Sequence, residues 1–405
     1  MRRVAVFLLA LTFLVPSAHG WDLTKKVAAP WWIHGLTFYA PFDDPASPLK
    51  LLRGAGALTF TRAHDATHTA TYVHPGTGLV TVADNNQLRI EAGGALVEGA
   101  RTNKALYSEA LGLASTWIPV SMTVDNNSVV APNGNTTAET LTATGDNAVL
   151  YQAIAGTHLD YVYSAYLKRK TGTGTVSVSA DNATWTTCTI DNASWTRCSD
   201  IRHYPDTSVQ NPGIRIATSG DAVYAWGTQL EGVLWTGVGD YASSYIPTVA
   251  SAISRNADLL SFTASGNVSN TVGTLSVEIK KPITLPAQTT HNTFLGSGSP
   301  SIGLYNTQLL SVDNTSTVYS GVLSADMAET KIALRWGSDR KFSQDGALSA
   351  TKAFSGDMNH IGSGITYIGY ATGNAGSYYH AWGNIKNLRI WNRALTDAEL
   401  KAITR

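Results

Sequence analysis

Charged residues are scarce in this sequence of 405 residues, in which Asp, Glu, Lys and Arg together make up 14%, against about 25% in a typical globular domain. The 29 basic residues balance the 29 acidic ones. Affinity for a phosphate backbone needs clustered basic side chains without acidic compensation, so the composition argues against a nucleic-acid-binding protein. It also argues against a disordered chain, because 43% hydrophobic residues and no net charge favour collapse into a core.

Cysteine is almost absent, with only Cys188 and Cys198 in the whole chain. The two residues flank Asp191 and Asn192, so one interpretation is a disulfide across a hairpin in an oxidising compartment. The alternative is two small buried thiols on neighbouring strands. No further Cys or His cluster accompanies them, which excludes a cysteine zinc site. The sequence predicts no metal site and no cofactor.

Long hydrophobic runs are missing except at the N-terminus. Residues Met1 to Gly20 combine Arg2 and Arg3, an apolar run and small residues at its end. This order is typical of a cleaved signal peptide, and the run is short for a membrane span, which needs about 20 apolar residues. We therefore expect residues 1–20 to be an export signal.

Alternation of apolar and polar residues is the dominant pattern in the rest of the chain. Thr175–Ser179, Ala222–Trp226, Leu275–Ile279 and Asn387–Trp391 each alternate and are bounded by turn-forming residues, which predicts half-buried strands. The one convincing helix signal is the capping box that begins at Thr396. Many short strands with almost no helix indicate an all-β fold made of antiparallel β-sandwiches. We divide the chain into a short-strand lead-in or attachment segment (21–103), a first sandwich (104–248) and a second sandwich (255–405).

Several motifs together resemble bacteriophage virion proteins of the tail-fibre and head-spike kind. They are Thr59–Arg62, Leu96–Asn103, Tyr107–Glu109, Trp226–Glu231, Ser244–Thr248, Arg255–Asp258, Gly273–Glu278 and Ile385–Leu400. The resemblance implies that residues 104–248 form a jelly roll like those of carbohydrate-binding modules. It implies a concanavalin A-like (laminin-G-like) lectin domain for residues 255–405.

The function implied by this resemblance is host attachment by a non-enzymatic virion surface protein, of fibre, spike or decoration type. Its partners would be cell-surface glycans and other virion proteins, with no nucleic acid, and it leaves room for a homo-oligomer. The alternative that we weigh is a secreted bacterial carbohydrate-binding or adhesion protein. The expected location is therefore the virion surface or the extracellular space.

No catalytic constellation stands out in the sequence. The strand-borne carboxylate pair that a glycosidase of this fold needs is missing, and so is the Gly-x-Ser-x-Gly turn of a serine hydrolase. Sugar binding instead uses aromatic faces and amide or carboxylate groups. The alternation of Trp117, Trp195, Trp226 and Trp391 with polar residues predicts that these rings lie in the core. We place the candidate carbohydrate site in the loop Gly373–His380, at Asn374, Tyr378, Tyr379 and His380.

Overall fold

The computed structural model describes residues 30–62, 70–156, 160–203, 210–233, 242–280, 291–297, 300–305, 308–312, 317–319, 329–354, 357–362, 364–372, 378–380 and 383–405. The predicted signal peptide lies outside these residues. Strands dominate the described chain, as the alternation predicted, so the all-β fold class is confirmed. None of its helices is long and apolar enough to cross a membrane.

Seven short strands precede residue 104. They are β1 (Leu36–Ala40), β2 (Thr59–Arg62), β3 (Thr71–Val73), β4 (Val80–Val82), β5 (Arg89–Glu91), β6 (Gly94–Val97) and β7 (Arg101–Asn103). The next group comprises β8 (Ile118–Val120), β9 (Met122–Val129), β10 (Ala138–Ala143), β11 (Ala148–Tyr151), β12 (Asp160–Thr171), β13 (Val176–Ser179), β14 (Thr186–Cys188), β15 (Thr196–His203), β16 (Gly213–Ile216), β17 (Ala222–Val233) and β18 (Ile253–Arg255).

The remaining strands run to the C-terminus. They are β19 (Asp258–Thr263), β20 (Gly273–Lys280), β21 (His291–Gly296), β22 (Pro300–Tyr305), β23 (Gln308–Val312), β24 (Thr317–Tyr319), β25 (Glu329–Trp336), β26 (Asp339–Gln344), β27 (Ala347–Leu348), β28 (Lys352–Ala353), β29 (Ile365–Ile368), β30 (Tyr370–Thr372), β31 (Tyr378–His380) and β32 (Gly383–Trp391). The helices are a 3-10 turn at Trp31–Ile33, α1 (Asn359–Gly362) and α2 (Asp397–Ile403).

The first sandwich packs two antiparallel sheets face to face. One sheet has the order β15-β12-β17-β10-β9, with β7 and β18 added beside β17, and the other has the order β14-β13-β16-β11-β8. Alternate residues point into the space between the sheets, and on β12 these are Tyr161, Tyr163, Ala165 and Leu167, all fully buried. The residues between them therefore lie on the outer face, where Tyr166 and Lys168 remain partly exposed.

The second sandwich has one sheet in the order β27-β26-β25-β20-β32-β6-β5 and a second in the order β2-β19-β29-β21-β22-β23-β24. Strands β1, β2, β5 and β6 come from the segment that the sequence indicated as a lead-in. Strands β1 and β6 pair with β32, β5 pairs with β6, and β2 pairs with β19, so these four strands complete both sheets of this sandwich. The physical reason is that strands of three to five residues gain little as an isolated unit and are stabilised by pairing with longer strands.

The C-terminal helix forms as its capping box predicted. The Thr396 side chain accepts a hydrogen bond from the Glu399 amide, and the Glu399 carboxylate accepts one from the Thr396 amide. Leu400 is the buried residue of this helix and packs with Trp391 and Leu36 on the outer face of the β32 sheet. Helix α2 therefore covers one end of the second sandwich.

The chain crosses between the two sandwiches twice, once after β6 and once after β18, and the two crossings lie side by side. A buried cluster of ionic side chains, which we call the junction, joins them and consists of Arg62, Arg89, Glu98, Ser244, Arg255 and Asp258. Asp258 binds Arg62 and Arg89, and it also accepts a hydrogen bond of 3.0 Å from the Glu98 amide. Because Ser244 belongs to the closing segment of the first sandwich and Asp258 begins the second, these contacts hold the two sandwiches together.

The second carboxylate of the junction, Glu98, lies between two guanidinium groups. Its oxygen Oε2 is 2.8 Å from Arg89, contacts Arg255 and accepts a hydrogen bond of 2.7 Å from the Ser244 hydroxyl. Burial alone would raise the pKa of Glu98, but Arg255, Arg89 and the Ser244 hydrogen bonds outweigh it and lower the pKa to about 2. The carboxylate is therefore charged at neutral pH, as a buried ion with two cationic partners should be.

Candidate functional site

The loop in which the sequence placed the carbohydrate site is only partly described. Asn374 lies outside the described residues, and Tyr378, Tyr379 and His380 form β31. Strand β31 pairs with β30 in a two-stranded ribbon, in which Tyr370 lies opposite His380 and Thr372 opposite Tyr378. The sugar-binding role of these four residues stays a prediction.

The tryptophans divide into two groups. Trp117, Trp226 and Trp391 are buried, as predicted. Trp195 is not, and the prediction of a core position is wrong for this residue, because Trp195 precedes β15 and its ring lies on the outer face of the sheet, half-exposed. A large ring that keeps one side in water is the kind of group that stacks on sugars.

The position of Trp195 follows from a duplicated turn in the sequence. Asp181-Asn-Ala-Thr-Trp185 recurs as Asp191-Asn-Ala-Ser-Trp195, and both copies fold alike. In the first copy the Asp181 carboxylate accepts hydrogen bonds from the Ala183 and Thr184 amides, and in the second Asp191 accepts them from Ala193 and Ser194. Asp side chains commonly accept such hydrogen bonds from the backbone amides that follow them in tight turns. Each turn ends on a tryptophan that is half-exposed.

The hydrogen bonds in these turns also act on the carboxylates. The amides of Ser194 and Ala193 lower the pKa of Asp191. For Asp181, partial burial opposes the effect, but hydrogen bonds from the Ser179 hydroxyl and from two amides lower the pKa as well. Both aspartates are therefore ionised acceptors that hold the turns in place.

The two copies are joined by a disulfide between Cys188 and Cys198, whose Cα atoms are 5.8 Å apart. Cys188 ends β14 in one sheet of the first sandwich, and Cys198 lies in β15 of the other. The disulfide thus links the two sheets at one edge. Trp185 precedes β14 and Trp195 precedes β15, so the two tryptophans lie on different sheets.

Trp195 belongs to a small group of side chains that we call the aromatic face, made of Lys168, Lys170, Trp195 and Tyr224. The ring centroids of Trp195 and Tyr224 are 6.5 Å apart. The ammonium group of Lys168 lies 5.4 Å from the Trp195 centroid and 5.6 Å from the Tyr224 centroid, and that of Lys170 lies 5.7 Å from Tyr224. These residues come from β12, β17 and the start of β15, on the outer face of one sheet. Two half-exposed rings with a hydrogen-bond donor between them offer stacking and polar contacts at once.

The other tryptophan has a different neighbour. The guanidinium carbon of Arg215 lies 4.7 Å from the Trp185 ring centroid. Arg215 is on β16, in the sheet on the opposite side of the sandwich. Within the described residues no second aromatic ring lies beside Trp185, whereas Trp195 has Tyr224 as a neighbour.

A cleft of about 120 Å³ opens next to the aromatic face, where the two sandwiches meet. The side chains that we use to define it are Tyr72, Glu91, Tyr166, Arg197, Tyr245 and Asn384. Tyr166 and Lys168 are two residues apart on β12, so the cleft and the aromatic face lie on the same side of the same sheet, about 7 Å apart along the strand. The cleft contains groups from both sandwiches.

Two carboxyl groups lie close to each other inside the first sandwich. Burial raises the pKa of Glu139 to about 8, and burial also raises the pKa of Glu109, whose carboxylate accepts a hydrogen bond of 3.1 Å from the Tyr245 hydroxyl. Glycoside hydrolysis needs two carboxyls that face the substrate in a cleft. Glu139 is 1% exposed, so this pair has no access to a polysaccharide. Within the described part of the chain, no group of three or more His, Cys, Asp or Glu side chains lies close enough to hold a metal ion.

Sequence reasoning missed the aromatic face because its members come from three separate stretches of chain. The one available signal was the duplicated turn, which pointed to two equivalent tryptophans. Which of these tryptophans has a second ring beside it depends on the pairing of β12 with β15 and β17, and the sequence does not contain that pairing.

No family model matches this sequence, and no curated protein matches it. Solved structures that are similar to a part of the chain include domain 4 of AbnA, a GH43 extracellular arabinanase from Geobacillus stearothermophilus, in complex with arabinotriose. That match has 17% identity and a TM-score of 0.28, and it covers 37% of this chain and 73% of the other.

Two further similar structures are also carbohydrate-binding domains by name. The CBM40 of the Ruminococcus gnavus IT-sialidase, bound to α2,3-sialyllactose, has 16% identity, a TM-score of 0.27 and coverage of 34% and 84%. The CBM22-1 xylan-binding domain of Paenibacillus barcinonensis Xyn10C has 14% identity, a TM-score of 0.27 and coverage of 33% and 93%. Similarities with TM-scores this low carry no argument about the function of this chain.

Proposed function

We propose that this chain is a non-enzymatic glycan-binding protein and that the aromatic face of the first sandwich holds the glycan. The observation that carries the proposal is the pair of partly exposed rings, Trp195 and Tyr224, with the Lys168 ammonium 5.4 and 5.6 Å from their centroids. The C–H face of a sugar ring packs on such aromatic rings, while the ammonium donates hydrogen bonds to hydroxyl oxygens.

The setting of the face supports this use. It lies on a strand framework, whose side-chain positions are fixed by the ladder hydrogen bonds of β12, β15 and β17, so the rings are held in place before the ligand arrives. A preformed site loses less conformational entropy on binding than a flexible loop would. Single contacts of this kind are weak, and display in several copies would raise the apparent affinity.

The test is a glycan array probed with the full chain and with two matched variants, Trp195→Ala and Trp185→Ala. Both variants remove the tryptophan of a duplicated turn, but only the first alters the aromatic face. We expect Trp195→Ala to weaken binding by about 2 kcal/mol, roughly 30-fold, and Trp185→Ala to leave it unchanged. Equal signals from Trp195→Ala and the unaltered chain would contradict the proposal.

The finer assignment, a virion surface protein of fibre, spike or decoration type that contacts cell-surface glycans, rests on the sequence resemblance. Its alternative is a secreted bacterial carbohydrate-binding or adhesion protein. Peptide mapping of purified particles and of particle-free culture supernatant separates the two. Peptides of this chain in assembled particles support the first, and their presence in supernatant alone supports the second.

A further inference from the structure

We infer that the cleft between the sandwiches binds the end unit of a neutral glycan whose following units lie on the aromatic face. This inference rests on the proposed function but concerns a different site. The cleft is lined by the tyrosines Tyr72, Tyr166 and Tyr245 and by three polar side chains, Glu91, Arg197 and Asn384. It has room for a group much larger than one water molecule, whose share of liquid volume is about 30 Å³.

The polar side chains are held in place by contacts within the protein. The Glu91 carboxylate accepts hydrogen bonds from the Val73 amide at 2.8 Å and from the Asn384 side chain at 3.1 Å. Glu91 belongs to β5 and Asn384 to β32, two strands of the second sandwich. Each carboxylate oxygen has a second lone pair beyond the bond that it accepts here, and so can accept a hydrogen bond from a ligand.

Arg197 is fixed on the first sandwich. Its guanidinium group donates to the Ser243 carbonyl oxygen at 2.6 Å and to the Ser164 hydroxyl at 3.0 Å, and it lies 5.4 Å from the Tyr166 ring centroid. The cleft therefore has an anionic acceptor on one sandwich and a cationic donor on the other.

This combination selects a chemical class of ligand. A hydroxyl group both donates and accepts, so neighbouring hydroxyls can donate to Glu91 and accept from Arg197. A charged group of either sign would be attracted by one of these side chains and repelled by the other, so the pair gives a charged ligand no net electrostatic advantage. With tyrosine rings at the wall, the cleft fits a neutral polyhydroxylated ring, which is what the end of a neutral glycan presents.

The placement of the cleft supports capture of a chain end. Tyr166 lines the cleft and is two residues from Lys168 of the aromatic face, so a sugar in the cleft and a sugar on the face would be close enough to be linked. Trp226 and Tyr245 pack with Val80 and are buried, so among the described residues near the cleft they offer a glycan no exposed ring, whereas Trp195 and Tyr224 do.

The experiment uses free monosaccharides, which are too small to need the aromatic face. D-glucose, D-galactose, N-acetylglucosamine and L-rhamnose are titrated separately against the full chain by saturation-transfer NMR, with Asn384→Ala, Glu91→Gln and the control Trp185→Ala. We expect at least one sugar to bind, Asn384→Ala and Glu91→Gln each to raise its dissociation constant at least tenfold, and Trp185→Ala to leave it unchanged. Melting temperatures within a few degrees of the unaltered chain show that the variants are folded.

Three outcomes overturn the inference. They are no binding of any of the four sugars, binding that survives both cleft variants, and binding that is lost in Trp195→Ala but kept in Asn384→Ala. The proposed function fails in a different way, namely when Trp195→Ala retains full signal on the glycan array. The two failures can therefore be distinguished.

Discussion

The junction and the aromatic face both place cationic side chains beside partners that stabilise charge, yet they differ in their contact with water. In the junction, Arg89, Arg255 and Asp258 have no exposed surface. On the aromatic face, Lys168, Trp195 and Tyr224 are each half-exposed. The partners differ accordingly, with carboxylates in the buried group and aromatic rings in the exposed one.

This difference separates residues that stabilise the fold from residues whose side chains can contact a ligand. A buried charge must be paired, so each member of the junction depends on the others and resists substitution. The motifs Thr59–Arg62, Leu96–Asn103 and Arg255–Asp258, which carry part of the sequence resemblance, contribute four of the six junction residues, and Arg89 and Ser244 are their partners. Those motifs therefore describe how two sandwiches are joined and give no information on what the protein binds.

The largest effect is expected when a buried carboxylate of the junction is removed and compared with the removal of an exposed one elsewhere in the chain. Asp258→Ala leaves Arg62 buried without its carboxylate partner and Arg89 with Glu98 alone, so we expect the free energy of unfolding to fall by about 3–5 kcal/mol. The control is Asp397→Ala, whose carboxylate pairs with Arg335 and Lys341 but has a side chain that is 47% exposed. There we expect a loss below about 1 kcal/mol.

Denaturation by urea, followed by tryptophan fluorescence, measures both variants. Because the junction joins the two sandwiches, we also expect Asp258→Ala to unfold in two separated steps while the unaltered chain unfolds in one. Equal losses for the two variants would mean that burial does not distinguish the junction from a surface ion pair.

At acidic pH we expect the junction to lose ion pairs, whereas the aromatic face contains no carboxylate that would be protonated. A carboxyl whose pKa is lower in the folded than in the unfolded chain stabilises the fold above the unfolded pKa and loses that contribution as the pH falls to the folded pKa. For Glu98 the window runs from the ordinary value of 4.5 down to about 2, because Arg255 and Arg89 lower its pKa against the effect of burial.

We expect a loss of the order of 3 kcal/mol across this window. The measurement is urea denaturation at several pH values between 5 and 2, compared with Glu98→Gln, which should have a lower stability at neutral pH but a flatter pH dependence. Parallel curves for the two proteins would show that Glu98 does not carry the acid response.

We expect removal of the disulfide to have an intermediate effect on the free energy of unfolding. The disulfide links β14 to β15, the strand that follows Trp195 of the aromatic face. Cys188 and Cys198 close a loop of about ten residues, and removing both as Cys188→Ala with Cys198→Ala should cost about 2–3 kcal/mol by the increased entropy of the unfolded chain. The same shift should follow when the unaltered chain is reduced with dithiothreitol. If reduction leaves the melting temperature unchanged, the two cysteines are not bonded in solution.

How far the sequence predicted this structure depends on the range of the interactions. Local patterns were sufficient for the strands around Val176, Val223, Leu275 and Ile390 and for the helix that follows Thr396, because alternation and capping involve neighbouring residues. They were not sufficient to place β1, β2 and β6. The partner strands of these three lie about 200 to 350 residues away in the sequence, and a local pattern contains no information about pairing over such a distance.

The site was harder to predict than the fold for the same reason. Trp195 alternates with polar residues just as Trp226 does, and both lie on the outer face of the same sheet. Trp226 is buried in a cluster with Val80 and Tyr245, while Trp195 packs against the edge of the same cluster and stays partly exposed. Burial on an outer face is decided by distant segments, so the alternation that placed the tryptophans on strands did not say which of them contacts water.

The smallest effect on the free energy of unfolding is expected for a substitution on the aromatic face, at Trp195. Trp195→Ala removes a half-exposed ring and its contact with the Lys168 ammonium, and an exposed contact of this kind contributes about 0.5–1 kcal/mol. We expect the free energy of unfolding to fall by about 1 kcal/mol or less, measured by urea denaturation with circular dichroism because the fluorescence of the protein changes with the substitution. A loss as large as that of Asp258→Ala would mean that the ring supports the sheet as a core residue does.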